Sequence, residues 1–201
     1  MAESENVNKL IEGAAKGDTS TVLKVLHQGV SPNVSLKDGH TALMAATNSR
    51  RADVVEALLD SGADVELQDD HGMTALMIAA ARGSIHIAEL LLKAGANPNL
   101  TNSSELAPFS GCTALMHAAK SGSTAVVKLL LQYGAELDSA DADGETALMK
   151  ATYWGNYETV ITLLKAGADF CRKNYAGKTA LDIADTMGHL KIAQALKSET
   201  G

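Results

Sequence analysis

The sequence predicts an all-α stack of short helix-turn-helix units, and two observations carry that prediction. The tripeptide Thr-Ala-Leu occurs at Thr41, Thr74, Thr113, Thr146 and Thr179, with gaps of 33, 39, 33 and 33 residues. Other small or apolar residues then recur at fixed offsets from those threonines. A period near 33 marks stacked repeats, in which each unit buries its apolar face only against its neighbours.

The offsets justify each element in turn. Two residues before each threonine stands Gly39, Gly72, Gly111, Gly144 or Gly177, which allows a turn. The threonine hydroxyl is a helix cap. Five residues on comes Ala46, Ala79, Ala118, Ala151 or Ala184, small enough for helices to pack closely. Gly83, Gly122, Gly155 and Gly188 then break the first helix, with Arg50 the one exception. Leu58, Leu91, Leu130, Leu163 and Leu196 mark the apolar side of a second helix. Gly62, Gly95, Gly134 and Gly167 end that helix in four units, in the left-handed conformation that glycine adopts cheaply. Neither helix is long enough to stand alone in water. Projected back 33 residues, the frame lands on Asn8, and Gly17 and Gly29 fall on its marks. The reading is six units: an N-terminal cap over 5–36, repeats over 37–69, 70–108, 109–141 and 142–174, and a C-terminal cap over 175–201.

These residues resemble the ankyrin repeat, a β-turn finger followed by two helices with T-P-L-H-x-A opening the first. Here the opening reads T-A-L-M in four units and T-A-L-D in the last. Ala replaces a proline that is favoured at the first turn but not required, and Met44, Met77, Met116 and Met149 replace the family's structural histidine. The resemblance implies an ankyrin-repeat solenoid of six helix-turn-helix units joined by β-turn fingers.

Composition narrows the function. Aromatic residues make up 3% of the 201, which suits a row of small Leu/Ala/Val cores. A net charge of −7 without a Lys/Arg run offers nothing to a phosphate backbone, so no nucleic-acid partner is expected. No apolar run approaches the length of a membrane span, and the start lacks a signal-peptide layout, so a cytoplasmic or nuclear monomer is expected. Cys112 and Cys171 lie about two units apart, too far for a disulfide, and Cys112 occupies a turn position expected to be exposed.

No enzyme is expected. Six scattered histidines make no paired-histidine metal motif. The Asp141–Gly144 run fails as a calcium loop, because counting from Ser139 puts Lys150 at the twelfth position, where a carboxylate is needed. The glycines follow the repeat and form no phosphate cradle. No cofactor and no metal is implied.

Recognition is left to the surface. Ankyrin-type binding uses finger tips and the exposed end of the first helix, which implies His71, Met73, Phe109 and Tyr175 on the tips and Arg82, Lys120, Tyr153 and Trp154 at helix ends. Tyr153-Trp154 holds the chain's one tryptophan, and Trp and Tyr often carry interface energy; the alternative is that Trp154 packs over the adjacent turn. Between Ala96 and Thr113 six extra residues lie within 101–110, a polar loop carrying the apolar Leu106 and Phe109. Such insertions often lie on the binding face, although a loop can also be lengthened at little cost. Two acidic groups, Asp60 to Asp70 and Glu136 to Glu145, read as turn-supporting residues or as a preference for a basic partner segment.

Polar outer positions, Lys9, Glu12 and Lys16 in the first unit and Lys191, Gln194 and Lys197 in the last, predict polar caps and a chain complete in itself. The expectation is a protein-protein interaction module, acting by occupancy as scaffold, adaptor or inhibitor through a concave finger and inner-helix face. The resemblance implies a second role, as a substrate of asparagine hydroxylation at Asn33 and Asn99, with Leu26 and Leu92 upstream but Asn97 where an acidic residue is preferred. A third, an enzyme using 101–110 as a lid, lacks any paired acid–base set.

Overall fold

Each Thr-Ala-Leu segment opens a helix by one device. The amides of Met44, Met77, Met116 and Met149 donate to the hydroxyls of Thr41, Thr74, Thr113 and Thr146 at 3.2, 3.3, 3.4 and 3.4 Å. In the last unit Asp182 replaces methionine and completes a capping box: its amide donates to Thr179 Oγ1 and its carboxylate accepts the Thr179 amide. The four methionines that stand where the family has histidine are buried, so that position is spent on packing.

The computed structural model describes residues 2–103 and 110–199 of the chain. Among the described residues there are twelve helices and only isolated β-bridges. In chain order they are α1 (Ala2–Lys16), α2 (Thr19–His27), α3 (Ala42–Asn48), α4 (Ala52–Asp60), α5 (Ala75–Arg82), α6 (Ile85–Lys93), α7 (Ala114–Ser121), α8 (Thr124–Gln132), α9 (Ala147–Tyr153), α10 (Tyr157–Lys165), α11 (Ala180–Met187) and α12 (Leu190–Ser198). Every helix but α1 has nine residues or fewer. Within each unit the two helices are paired across a short turn that holds a glycine in every unit but the second, where Arg50 takes its place, an all-α helix-turn-helix repeat.

The chain forms two compact units, one of residues up to 79 with 84–97, the other of residues 80–83 with those from 98 on. In the first, α1 packs on α2 and α3, α3 on α4, and α4 on both α2 and α6. In the second, α7 packs on α8 and α9, α9 on α10 and α11, α10 on α8 and α12, and α11 on α12. Leu10, Leu58, Leu76 and Leu91 are fully buried in the first, as are Leu115, Leu130, Leu148 and Leu163 in the second. Burying such a side chain contributes about 1.5–3 kcal/mol, which is what holds helices too short to stand alone.

Two polar devices link successive repeats. A carboxamide or carboxylate after the second helix reaches the next repeat. The Asp64 amide donates to Asn33 Oδ1 at 2.7 Å, Asn97 to Glu66 Oε1 at 2.8 Å, Glu136 to Asn99 Oδ1 at 2.8 Å and Asp169 to Asp138 Oδ1 at 3.0 Å. The fingers are also joined by backbone bonds, Asp70 N to Asp38 O in the first unit, then Ala142 N to Ser110 O and Tyr175 N to Asp143 O in the second.

α1 runs from Ala2 through Asn8 to Lys16, steadied by Glu5–Lys9 and Glu12–Lys16 pairs one turn apart. Two expectations need correction. Cys112 is buried at 4% exposure, not on an exposed turn. Its amide donates to Asn102 Oδ1 and its carbonyl accepts from the Asn102 amide, so the residue is drawn inward where the stem of the 101–110 segment closes. Burial pushes its thiol up to about 11, an inert group at neutral pH. The second concerns the acidic group Glu136 to Glu145: Asp141 is not at a solvated tip but buried against Lys150.

Candidate binding site at the helix ends of the second unit

α9 ends at Tyr153, and Trp154 follows as its C-cap. Both rings point outward, at 46% and 54% exposure. They meet edge to face with centroids 5.7 Å apart and planes at 69°, the geometry that aromatic quadrupoles favour. The adjacent turn is covered by another residue. His189 Nε2 lies 3.1 Å from the Tyr153 carbonyl oxygen, and the same imidazole sits over Gly155. It is His189, and not Trp154, that stands nearest Gly155.

One wall of its surroundings comes from α7. Lys120, in the last turn of α7, places Nζ 5.4 Å from the indole centroid, a cation–π contact. Ala81, His117, Lys120, Ser121 and Trp154 together line an open cavity of about 240 Å³. Small-molecule pockets run to about 300–1,000 Å³, so this one is the size of a side chain. The His117 Nε2 is buried, with no hydrogen-bond partner among the described residues. Burial, with the charges of Lys120 and Lys150 adding to it, holds the imidazole down to about 4, neutral at physiological pH. Ser121 is fully used: its hydroxyl lies 3.2 Å from the Ala80 carbonyl oxygen, 3.1 Å from that of Ala118 and 2.9 Å from Ser123 Oγ.

Lys150, on α9, is the centre of an ion cluster. Lys150 Nζ lies 2.6 Å from both Asp141 Oδ2 and Glu145 Oε2. Asp141 Oδ1 accepts the amides of Asp143 and Glu145, and its Oδ2 lies 3.8 Å from Cys112 Sγ. Burial works against the Lys150 charge, but the hydrogen bonds and charges of the two carboxylates more than offset it and raise the ammonium above its ordinary value.

Of the residues the sequence pointed to, the structure brings Tyr153, Trp154 and Lys120 together. Arg82 is exposed at the end of α5, in the last turn. Tyr175, 81% exposed, has its ring on Gly144 and so extends the finger of the preceding repeat. His71 is exposed and Met73 half-buried on the finger of the first unit. Leu106 and Phe109 lie outside the described residues. Sequence reasoning missed His117 and the Lys150 cluster. The signal was present four residues after each threonine, where Ala45, Ile78, His117, Lys150 and Ile183 depart from the otherwise fixed frame.

Asn33 and Asn99, the residues singled out for hydroxylation, have their carboxamides engaged at both ends. Besides accepting from the next repeat, their Nδ2 groups donate to the Gly62 and Gly134 carbonyls at 3.4 and 3.0 Å.

Two segments of the chain, residues 10–102 and 101–174, match the family profile described as ankyrin repeats in three copies. The chain belongs to the ankyrin repeat family. An ankyrin repeat protein of fowlpox virus (strain NVSL) is 42% identical over 64 residues, 32% of this chain and 9% of that protein. An ankyrin repeat-containing protein of Schizosaccharomyces pombe is 36% identical over 56 residues, 28% of this chain and 27% of that protein. The matches thus span about a tenth and a quarter of those relatives' own lengths. Ankyrin repeats are general protein-interaction modules, typically without catalysis. Among the described residues, no helix is long and apolar enough to cross a membrane and no three His, Cys, Asp or Glu side chains are grouped to hold a metal.

Proposed function

We propose that this ankyrin-repeat chain binds another protein through the helix ends of its second unit, and acts by occupancy as a scaffold, adaptor or inhibitor rather than as an enzyme. The observation that carries the reading is the exposed Trp154, held edge to face by Tyr153 and flanked by Lys120 over a side-chain-sized cavity. A large aromatic left half in water, beside a pocket, is the composition of an interface anchor. Tyr175 on its finger and Arg82 at the end of α5 are further contact residues in this unit. In the first unit His71 and Met73 offer finger contacts. A basic partner segment draws support only from exposed finger carboxylates such as Asp38, Asp70 and Asp143, since Asp141 and Glu145 are committed to Lys150. The monomeric, cytoplasmic or nuclear setting is part of the same proposal.

Asparagine hydroxylation is the weaker reading. An enzyme acting on Asn33 or Asn99 must first free a side chain bonded at both ends to the next repeat.

The test is capture of partners by the full chain beside Tyr153→Ala/Trp154→Ala, each at a matched melting temperature. A partner held by the wild type and lost by the stable double variant supports the reading; equal capture by both overturns it.

A further inference from the structure

The second-unit cavity has a charge character opposite to that of the chain. The sequence holds 24 Asp and Glu against 17 Lys and Arg. None of the five residues lining this cavity is acidic, and one is a lysine. Arg82 and Lys120 close the last turns of α5 and α7, where helix ends carry partial negative charge that such cations offset locally. Asp141 and Glu145 are bound to Lys150 at 2.6 Å. Lys120 holds its ammonium over the indole, so the ring's electron-rich face is already matched to a cation and a second cation entering there meets repulsion. Ala81 and the indole give the lining apolar surface, and His117, whose buried Nε2 has no hydrogen-bond partner among the described residues, lines it too.

We infer that the residue a partner seats in this cavity, beside Lys120 and Trp154, is an acidic side chain, a glutamate or aspartate presented by a peptide segment. Its methylenes lie along the indole and Ala81, and its carboxylate meets the Lys120 ammonium. A glutamate fits best, because its longer stem spans the apolar wall before the charge is reached. The inference rests on the protein-binding reading above and adds the chemistry of the anchor.

Selection of random displayed peptides on the full chain tests it, followed by titration of the strongest binder and its analogues. The expected result is enrichment of Glu or Asp beside an apolar residue. Replacing that acid by Gln should weaken binding about tenfold or more, and so should Lys120→Glu and Trp154→Ala, at unchanged melting temperatures. Peptides that need Trp154 but carry no acid, or whose Gln analogues bind as well, overturn the acidic anchor while leaving protein binding intact. Peptides indifferent to both Trp154→Ala and Tyr153→Ala, or no enrichment at all, contradict the binding reading and the inference together.

Discussion

Lys150 Nζ lies 2.6 Å from Asp141 Oδ2, with the two side chains 7% and 1% exposed. A buried pair of this kind is weak support for stability in itself, but removing one partner leaves a buried charge and costs about 3–5 kcal/mol. Lys150→Ile alone should therefore destabilise the chain by that order in chemical denaturation. The chain itself shows the alternative. In the last unit Asn174 stands where Asp141 does, its Oδ1 accepting the amides of Ala176 and Lys178, and Ile183 stands where Lys150 does. Asp141→Asn/Lys150→Ile imports that pair and should recover most of the loss; a double variant as unstable as the single one contradicts this account.

Arg50 is the one described non-glycine residue with positive φ, at +57°. It ends the first helix where the other units use glycine, such as Gly122 at +72° and Gly155 at +71°. A side chain in that conformation costs about 1–2 kcal/mol, and the extra freedom glycine gives the unfolded chain returns part of it. Arg50→Gly should raise stability by roughly 1 kcal/mol, or about 2–4 °C in melting temperature for a chain this size. Calorimetry showing no gain, or a loss, means that the arginine side chain supplies compensating contacts.

His117 makes the fold acid-sensitive in a defined window. Its imidazole is held near 4 in the fold against an ordinary value of 6.5, so between those values the unfolded chain binds the extra proton and the folded chain does not. Stability contributed by the neutral ring is complete above about pH 6.5 and is lost as the pH falls toward 4, by roughly 3 kcal/mol at the limit. Denaturation across pH 4–7 should show wild type losing stability relative to His117→Leu as the pH falls. Parallel curves would show that the ring titrates alike in both states.

The thiols should separate by accessibility. Cys171 is exposed and Cys112 buried with its thiol pushed up to about 11. A thiol reagent at neutral pH should modify one cysteine per folded chain and the second only on unfolding; rapid modification of both contradicts the burial of Cys112.

The fold was legible in the sequence because the Thr cap, the small alanines and the helix-ending glycines are local requirements repeated at one period. The outward position of Tyr153 and Trp154 followed from the same frame. What the frame hid lies where contacts run between repeats. Lys150 registered only as the wrong residue for a calcium loop, because its partner Asp141 is nine positions away and looked like a surface acid. His117 looked like one scattered histidine until α7 and Trp154 were placed together. Cys112 was misjudged because a finger position is exposed by default, and only the Asn102 bonds across the inserted segment turn it inward.

The central claim is that Trp154 is an interface anchor, and the chain has only one tryptophan. Incorporating 5-fluorotryptophan into the full chain gives one fluorine NMR resonance, to be followed as a captured partner, carrying ordinary tryptophan, is titrated in. The account predicts that this resonance shifts or broadens in proportion to complex formed, and that the complex is weakened by Lys120→Glu. A resonance unmoved at saturation, with the complex confirmed by co-elution, would contradict it.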